Sequence, residues 1–315
     1  MFEAAELGRR LTKAEYEAAL AKLRPALLEA HFALKDTKVP VIVVVSGADG
    51  AGKGEVVHRL NEWLDPRGVD TQAYWQSSDE ERERPRWWRF WRSLPARGRV
   101  GILFGSWYSE PIIRRVYGEI KTSKLDTEMD RVAFFEKMLA DDGAVIVKLW
   151  FHLSKKAQRR RLKDLESDPK THWRVLPSDW KHFKLYDKFT EVSERAIRRT
   201  DSGHAPWHLI EAADRRYREL TAGQILLQAI EAKLRVLKQP KPAPAAPTSA
   251  PSWPTSKASK PPSAPTKPPS KTPNSTSATA SSRPPSTAAP ATSASSPADR
   301  KSTRLNSSHI TISYA

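Results

Sequence analysis

The chain has 315 residues with 25 Pro, 13 Gly, no Cys and a formal net charge of +17. Without cysteine there is no disulfide framework, no thiolate zinc site and no cysteine nucleophile, and a reducing, cytoplasmic setting is expected. No apolar stretch approaches the about 20 residues a bilayer span requires, and the opening MFEAAELGRR lacks a basic region followed by an apolar run, so no membrane association is expected.

Residues 237–315 hold 16 of the prolines, none of the glycines, and ten Lys/Arg against the single acid Asp299. Residues 1–236 keep a net charge of +8 and are long enough for one substantial core, as chains of about 150 to 250 residues commonly are. Four segments follow: a helical lead-in over 1–40, a folded domain over 41–236, a Pro/Ser/Thr/Ala/Lys-rich disordered linker over 237–298, and a terminal stretch over 299–315. The linker offers too little apolar surface to offset the entropy of ordering. The terminal DRKSTRLNSSHITISYA resembles vector read-through and is expected to be no part of the fold.

Apolar residues at three-to-four spacing predict a helix from Lys13 to Leu34. Val41 to Val45 is a continuous β-branched run, which suits a strand covered on both faces of a parallel sheet. A glycine-rich turn leads to a helix over Gly54 to Leu64. Further strands are expected at Asp70 to Trp75, Val100 to Phe104, Ala144 to Phe151 and His208 to Ile210. Helices are expected at Arg84 to Ser93, Pro111 to Glu119, Thr127 to Asp141 and Ala222 to Val236. This alternation predicts an α/β fold with a parallel sheet between two helical layers. A charged helical insertion from Lys155 to Arg199 would lie over the sheet's carboxyl edge, where open α/β sheets bind ligands.

Gly47 to Gly54 reads GADGAGKG, which is G-x-x-x-x-G-K with Gly54 where Ser or Thr is usual, placed between a buried strand and a helix. A backbone that wraps phosphate with its N–H groups needs conformations that a Cβ obstructs, which explains Gly47, Gly50 and Gly52. Ala51 and Gly54 complete the cradle, Lys53 reaches the anion, and the helix N-terminus adds partial positive charge. Gly54 lacks the hydroxyl that usually holds Mg²⁺, while Asp49 puts a carboxylate among phosphates. A metal between them is the economical account, and hydrogen bonding of Asp49 to loop amides is the competing one.

Lys156, Arg160 and Lys163 share one face of a predicted helix beside this loop, where a polyanion would be held; a solvated, charge-balanced face is the alternative. Arg84 to Arg92 (RPRWWRFWR) interleaves Trp87, Trp88, Phe90 and Trp91 with arginines. Core packing of the rings is preferred there over stacking on bases, and Asp79, Glu80, Glu81 and Glu83 could steady the arginines or hold a metal. Arg114 and Arg115 are candidates for phosphate contact, with surface charge as the alternative. The eight His show no metal-ligand spacing and are read as incidental.

The altered loop, Phe104-Gly105-Ser106-Trp107-Tyr108 after the third strand and FHLSKKAQRRRL at 151–162 occur in an order that resembles the polyphosphate kinase 2 family. Trp173, Pro177-Ser178-Asp179, Tyr186-Asp187, Ala205-Pro206-Trp207, and Ala212, Ala213, Asp214 and Tyr217 extend the likeness over about residues 10 to 235. The chain looks most like the N-terminal half of two-domain polyphosphate:AMP phosphotransferases. The resemblance implies a P-loop kinase-like fold with a basic helical lid. It implies phosphoryl transfer from inorganic polyphosphate to a nucleoside mono- or diphosphate (AMP to ADP), with Mg²⁺ as cofactor. Lys53, Asp49 and Arg114 would be the catalytic residues. It also implies pairing, as a homo-oligomer or with a second tandem domain.

One departure stands out: active members of the family read F-D-R-S-W-Y where this chain has Phe104, Gly105, Ser106, Trp107 and Tyr108. A polyphosphate-binding half that has lost its chemistry is therefore an alternative reading, and an ATP-dependent nucleoside monophosphate kinase is another. A nucleic-acid arm in the basic tail is not expected, because ten bases scattered among prolines are weak support for one.

Overall fold

The computed structural model describes residues 1–74 and 76–239. Trp75, the linker expected over 237–298 from residue 240 onward, and the terminal segment over 299–315 lie outside the described residues. In chain order the elements are α1 (Lys13–Lys35), β1 (Val41–Gly47), α2 (Lys53–Trp63), β2 (Val69–Ala73), α3 (Asp79–Glu83), α4 (Trp88–Trp91), β3 (Val100–Phe104), α5 (Ser109–Val116), α6 (Thr122–Asp141) and β4 (Val145–His152). After these come α7 (Lys155–Ser167), α8 (Pro177–Lys184), α9 (Tyr186–Thr200), β5 (Trp207–Glu211) and α10 (Arg215–Lys238).

The strands form one parallel sheet in the order β2-β3-β1-β4-β5. β1 sits at its centre because its residues are apolar on both faces. Val41, Val43 and Val45 pack with α1, α2 and α10, whereas Ile42 and Val44 pack with α5, α6 and α9. All five side chains are 0–1% exposed, so each gains about the full 1.5–3 kcal/mol of a buried aliphatic. β2, at the edge, is exposed along most of its length.

Helix ends follow local chemistry. Thr12 caps α1 by accepting from Glu15 N at 3.2 Å, while Glu15 reaches back to Thr12 N at 2.8 Å. Asp214 accepts from Tyr217 N at 2.8 Å and starts α10 seven residues before the predicted Ala222. α10 also runs to Lys238, past the expected domain end at 236.

The predicted Arg84–Ser93 helix is corrected: α3 ends at Glu83, and α4 covers only Trp88–Trp91. Pro85 forces Arg84 into extended backbone (ψ 161°), and Trp87 takes a left-handed conformation (φ 63°). Phe90 is buried while Trp91 is 46% exposed, so only part of this aromatic run is core. The acids before it steady its arginines, as the Arg84–Glu80 (3.2 Å) and Arg89–Glu81 (3.4 Å) pairs show. No helix among the described residues is long and apolar enough to cross a membrane.

Candidate phosphate-binding site

The turn between β1 and α2 lies against β4. Ala48 N donates to Phe151 O at 2.9 Å, and a Cβ on Gly47 (φ +135°) would collide with the Phe151 backbone. Gly52 (φ +74°) is the N-cap of α2, and a Cβ there would lie 2.5 Å from the Arg218 guanidinium. Position 47 therefore requires glycine for close approach to backbone, and position 52 for its left-handed conformation. Ala51 is buried, and its N–H turns inward to Ala48 O at 3.3 Å.

Lys53, in the first turn of α2, folds back over this loop. Its ammonium donates to Gly47 O and Ala48 O, each at 2.8 Å, and lies 3.8 Å from Asp49 Oδ1. Only 4% of the residue is exposed, and burial pulls the Lys53 pKa down against the opposing charges of Asp49 and Asp179.

The helices after β4 close over the loop. Gln158 of α7 donates to Asp49 O at 3.0 Å, and His182 of α8 places Nδ1 3.0 Å from Asp49 Oδ2. Burial alone would raise Asp49, but the His182 hydrogen bond and Lys53's charge outweigh it and hold the carboxyl below its ordinary value. His182 is correspondingly raised, first by that hydrogen bond. Asp179, one turn before His182, is buried; its Oδ2 accepts from Leu176 N at 2.7 Å, and burial raises its pKa. Asp49's carboxylate thus bonds the lid, and the histidines are not all incidental.

A second ionic cluster stands beside the loop. Glu55 receives Arg218, Arg161 at 2.9 Å and Arg174 at 3.4 Å, from α10, α7 and the 3₁₀ turn His172–Arg174. These charges depress Glu55 against its partial burial. The predicted trio Lys156, Arg160 and Lys163 does share one face of α7, and that face points to solvent; Arg160 is 79% exposed with Asp164 at 3.8 Å. Arg161 is the basic residue of this run that reaches the loop side. Its position next to buried Gln158 and Leu162 on the helical wheel was the available signal.

Val45, Gly105, Tyr108, Ile112, Val116, Trp150, Leu185 and Phe189 line a mostly apolar cleft of about 850 Å³ including its mouth, with Asp49, Lys53 and His182 at its polar end. Tyr108 is fixed from below. Its hydroxyl donates to Glu136 Oε1 at 2.6 Å, Trp107 Nε1 donates to the same oxygen at 3.0 Å, and Lys148 Nζ donates to Glu136 Oε2 at 2.7 Å. Arg114 is not brought to the loop side: it is 46% exposed, pairs with Glu110 and Glu119, and is absent from the cleft lining.

A parallel sheet in this order, with a glycine-rich turn leaving its central strand for a helix and a helical flap above, is a P-loop kinase-like architecture. The family model described as polyphosphate kinase 2 (PPK2) matches residues 10–238, and the chain belongs to that family. It is 51% identical over 249 residues to a polyphosphate:AMP phosphotransferase of Pseudomonas aeruginosa, a match covering 78% of this chain and 50% of the relative. A polyphosphate:AMP phosphotransferase of Pseudomonas syringae pv. tomato is 49% identical over 235 residues, covering 74% and 47%. The solved structure of polyphosphate kinase 2 from Arthrobacter aurescens superposes with a TM-score of 0.69 at 28% identity, over 76% of this chain and 85% of that one. The chain spans about half the length of the two Pseudomonas relatives.

Proposed function

We propose that this chain is a phosphotransferase domain that moves a phosphoryl group from inorganic polyphosphate to a nucleoside monophosphate, AMP being converted to ADP. The observation that carries it is Lys53 and Asp49, 3.8 Å apart in a glycine-rich loop, at the polar end of a mostly apolar cleft. Both Pseudomonas relatives are polyphosphate:AMP phosphotransferases, which supports the donor and the acceptor.

In-line transfer asks for positioning and charge neutralisation rather than a protein nucleophile. The loop amides and Lys53 would hold the transferred phosphate, Lys53 exchanging its bonds to Gly47 O and Ala48 O for phosphate oxygens. Arg161, Arg174 and Arg218, gathered on Glu55, stand ready for the neighbouring phosphates, and Lys156, Arg160 and Lys163 extend a cationic face for the rest of the chain. Tyr108, Ile112, Val116 and Phe189 would enclose the base. Mg²⁺ fits the donor chemistry, since Asp49 supplies carboxylate oxygen where Gly54 lacks a hydroxyl; bound there, the ion would neutralise charge between donor and acceptor phosphates. The two Pseudomonas relatives are about twice as long as the part this chain matches, which supports a tandem or paired arrangement, and a cytoplasmic setting belongs to the same reading.

Gly105 and Ser106 favour a second reading, in which this is a polyphosphate-binding half whose chemistry is carried elsewhere. The deciding experiment incubates the chain with Mg²⁺ and either polyphosphate or ATP as donor, and AMP or ADP as acceptor. ADP formed from polyphosphate and AMP supports the first reading. Polyphosphate binding without any product replaces it with the second, and product from ATP alone makes the chain an ordinary nucleoside monophosphate kinase.

A further inference from the structure

The lid meets the phosphate loop through three potential metal ligands. Asp49 lies in the loop, and Asp179 and His182 lie one helical turn apart on α8. One ligand atom from each falls within 4.8 Å of the other two. The Asp49 Oδ2 to His182 Nδ1 hydrogen bond, 3.0 Å long, already holds these two donor atoms within the about 2.8–3.4 Å that separates ligands bound at about 2.0–2.1 Å to one ion. Asp179 is 3% exposed, and its Oδ1 is a buried oxygen without a hydrogen-bond partner. A buried carboxylate oxygen left unpaired is costly unless a cation or donor completes it.

α8 is built to hold this geometry. Pro177 occupies its first turn, Leu176 N fixes Asp179 through Oδ2, and Oδ1 is thereby left free of the helix. The spacing from Asp179 to His182 is i, i+3, which puts both side chains on the same face. Lys53, 3.8 Å from Asp49 Oδ1, bonds two loop carbonyls and leaves Asp49 Oδ2 to the lid.

We propose that Asp49, Asp179 and His182 form a divalent-metal site that fastens α8 to the phosphate loop and selects a first-row transition ion, such as Mn²⁺ or Zn²⁺, over Mg²⁺. The selectivity follows from the imidazole. Mg²⁺ keeps oxygen ligands and several waters, whereas a nitrogen donor beside two carboxylates suits Mn²⁺, Co²⁺ and Zn²⁺. Gly105, which follows β3, lines the same cleft and contributes no ligand to it. The inference deepens the metal role proposed for Asp49 and depends on that reading only through this residue. It concerns an ion resident in the substrate-free protein rather than one brought in with phosphates.

The test uses the full chain, stripped of metal with chelator and titrated with Co²⁺, Mn²⁺ and Mg²⁺ in the absence of polyphosphate and nucleotide. Co²⁺ reports on its ligands through its visible absorption, and Mn²⁺ through loss of the free-ion EPR signal. The expected result is one Co²⁺ or Mn²⁺ per chain, held at least about tenfold more tightly than Mg²⁺. His182→Gln and Asp179→Asn should each weaken Mn²⁺ binding by about 10- to 100-fold, the scale on which a lost ligand or its support is felt. Circular dichroism and the melting temperature of each metal-free variant establish that it is folded. His182→Gln, altering a side chain only partly buried, remains informative if Asp179→Asn unfolds. Equal Mn²⁺ affinity in wild type and a folded His182→Gln, or no tight Co²⁺ or Mn²⁺ binding by wild type, overturns the site. The outcomes separate from the proposed function. Metal binding without phosphoryl transfer sinks the enzymatic reading alone, and transfer in Mg²⁺ without Mn²⁺ binding sinks the site alone.

Discussion

The ends of β1 and β3 lie side by side in the sheet and have been equipped in opposite ways. After β1 the chain presents glycines, a buried lysine and an acid, with Lys53 bonded to Gly47 O and Ala48 O and 3.8 Å from Asp49. After β3, Gly105 (φ +81°) and Ser106 offer no charge, and the following Trp107 and Tyr108 are buried on Glu136 and Lys148. One strand end is left polar, and the other is satisfied internally as a wall. The charged groups facing the loop come instead from α7, α8 and α10, distant in sequence.

That contrast can be broken from the structural side first. Glu136→Ala strands Lys148 in a site where both are 0% exposed, and removing one partner of a buried pair costs about 3–5 kcal/mol. For a domain of this size the melting temperature should drop by about 10 °C. A drop of only a degree or two would show that the wall after β3 does not depend on this network. At the other strand end, Gly47→Ala forces the loop off the Phe151 backbone, and a loss of about 1–3 kcal/mol from strain is expected in denaturant unfolding, together with weaker polyphosphate binding. Full polyphosphate affinity in that variant would remove the loop from the site.

Smaller effects sharpen the picture. Arg161→Ala should weaken polyphosphate binding and lower its dependence on salt by about one counterion, because one cation no longer meets the anion. An unchanged salt slope would assign Arg161 to holding Glu55 only. Tyr16, whose hydroxyl donates to Glu219 at 2.9 Å with its pKa pushed up to about 12, ties α1 to α10, and Tyr16→Phe should cost about 1 kcal/mol with no change in ligand binding.

The smallest is a pH effect far from the site. Burial lowers the His31 pKa from 6.5, while its ring nitrogens meet Asp65 N and Gly68 O at 3.3 Å. Below pH 6.5 the unfolded chain takes up this proton more readily than the folded one, so the contribution is present at pH 7 and is lost as pH falls below 6.5. His31→Gln should flatten the loss of stability between pH 7 and 5; an unchanged slope would contradict it.

Local features were readable from the sequence because local chemistry causes them. The β-branched VIVVV run suited a strand covered on both faces, and the glycine spacing with Lys53 marked the loop. The break at Pro85 was also written in the sequence, but the helical spacing of the aromatic residues concealed it. Asp179 and His182 were not legible as partners of Asp49. They lie more than a hundred residues away, and only the packing of α8 over the loop brings them together. Likewise the face of α7 that carries Lys156, Arg160 and Lys163 was correctly grouped by periodicity, yet which face turns to the loop depends on how Gln158, Leu162 and Leu165 pack.

The central claim is that the loop after β1 is the reaction centre. Its most direct test is the rate of ADP formation from polyphosphate and AMP by wild type and by Lys53→Ala, with polyphosphate binding measured on both. Loss of at least about 100-fold in rate with the fold intact, as removal of a group that stabilises transition-state charge produces, is the predicted result. Equal rates in the two proteins would contradict the account and place the chemistry elsewhere on the chain.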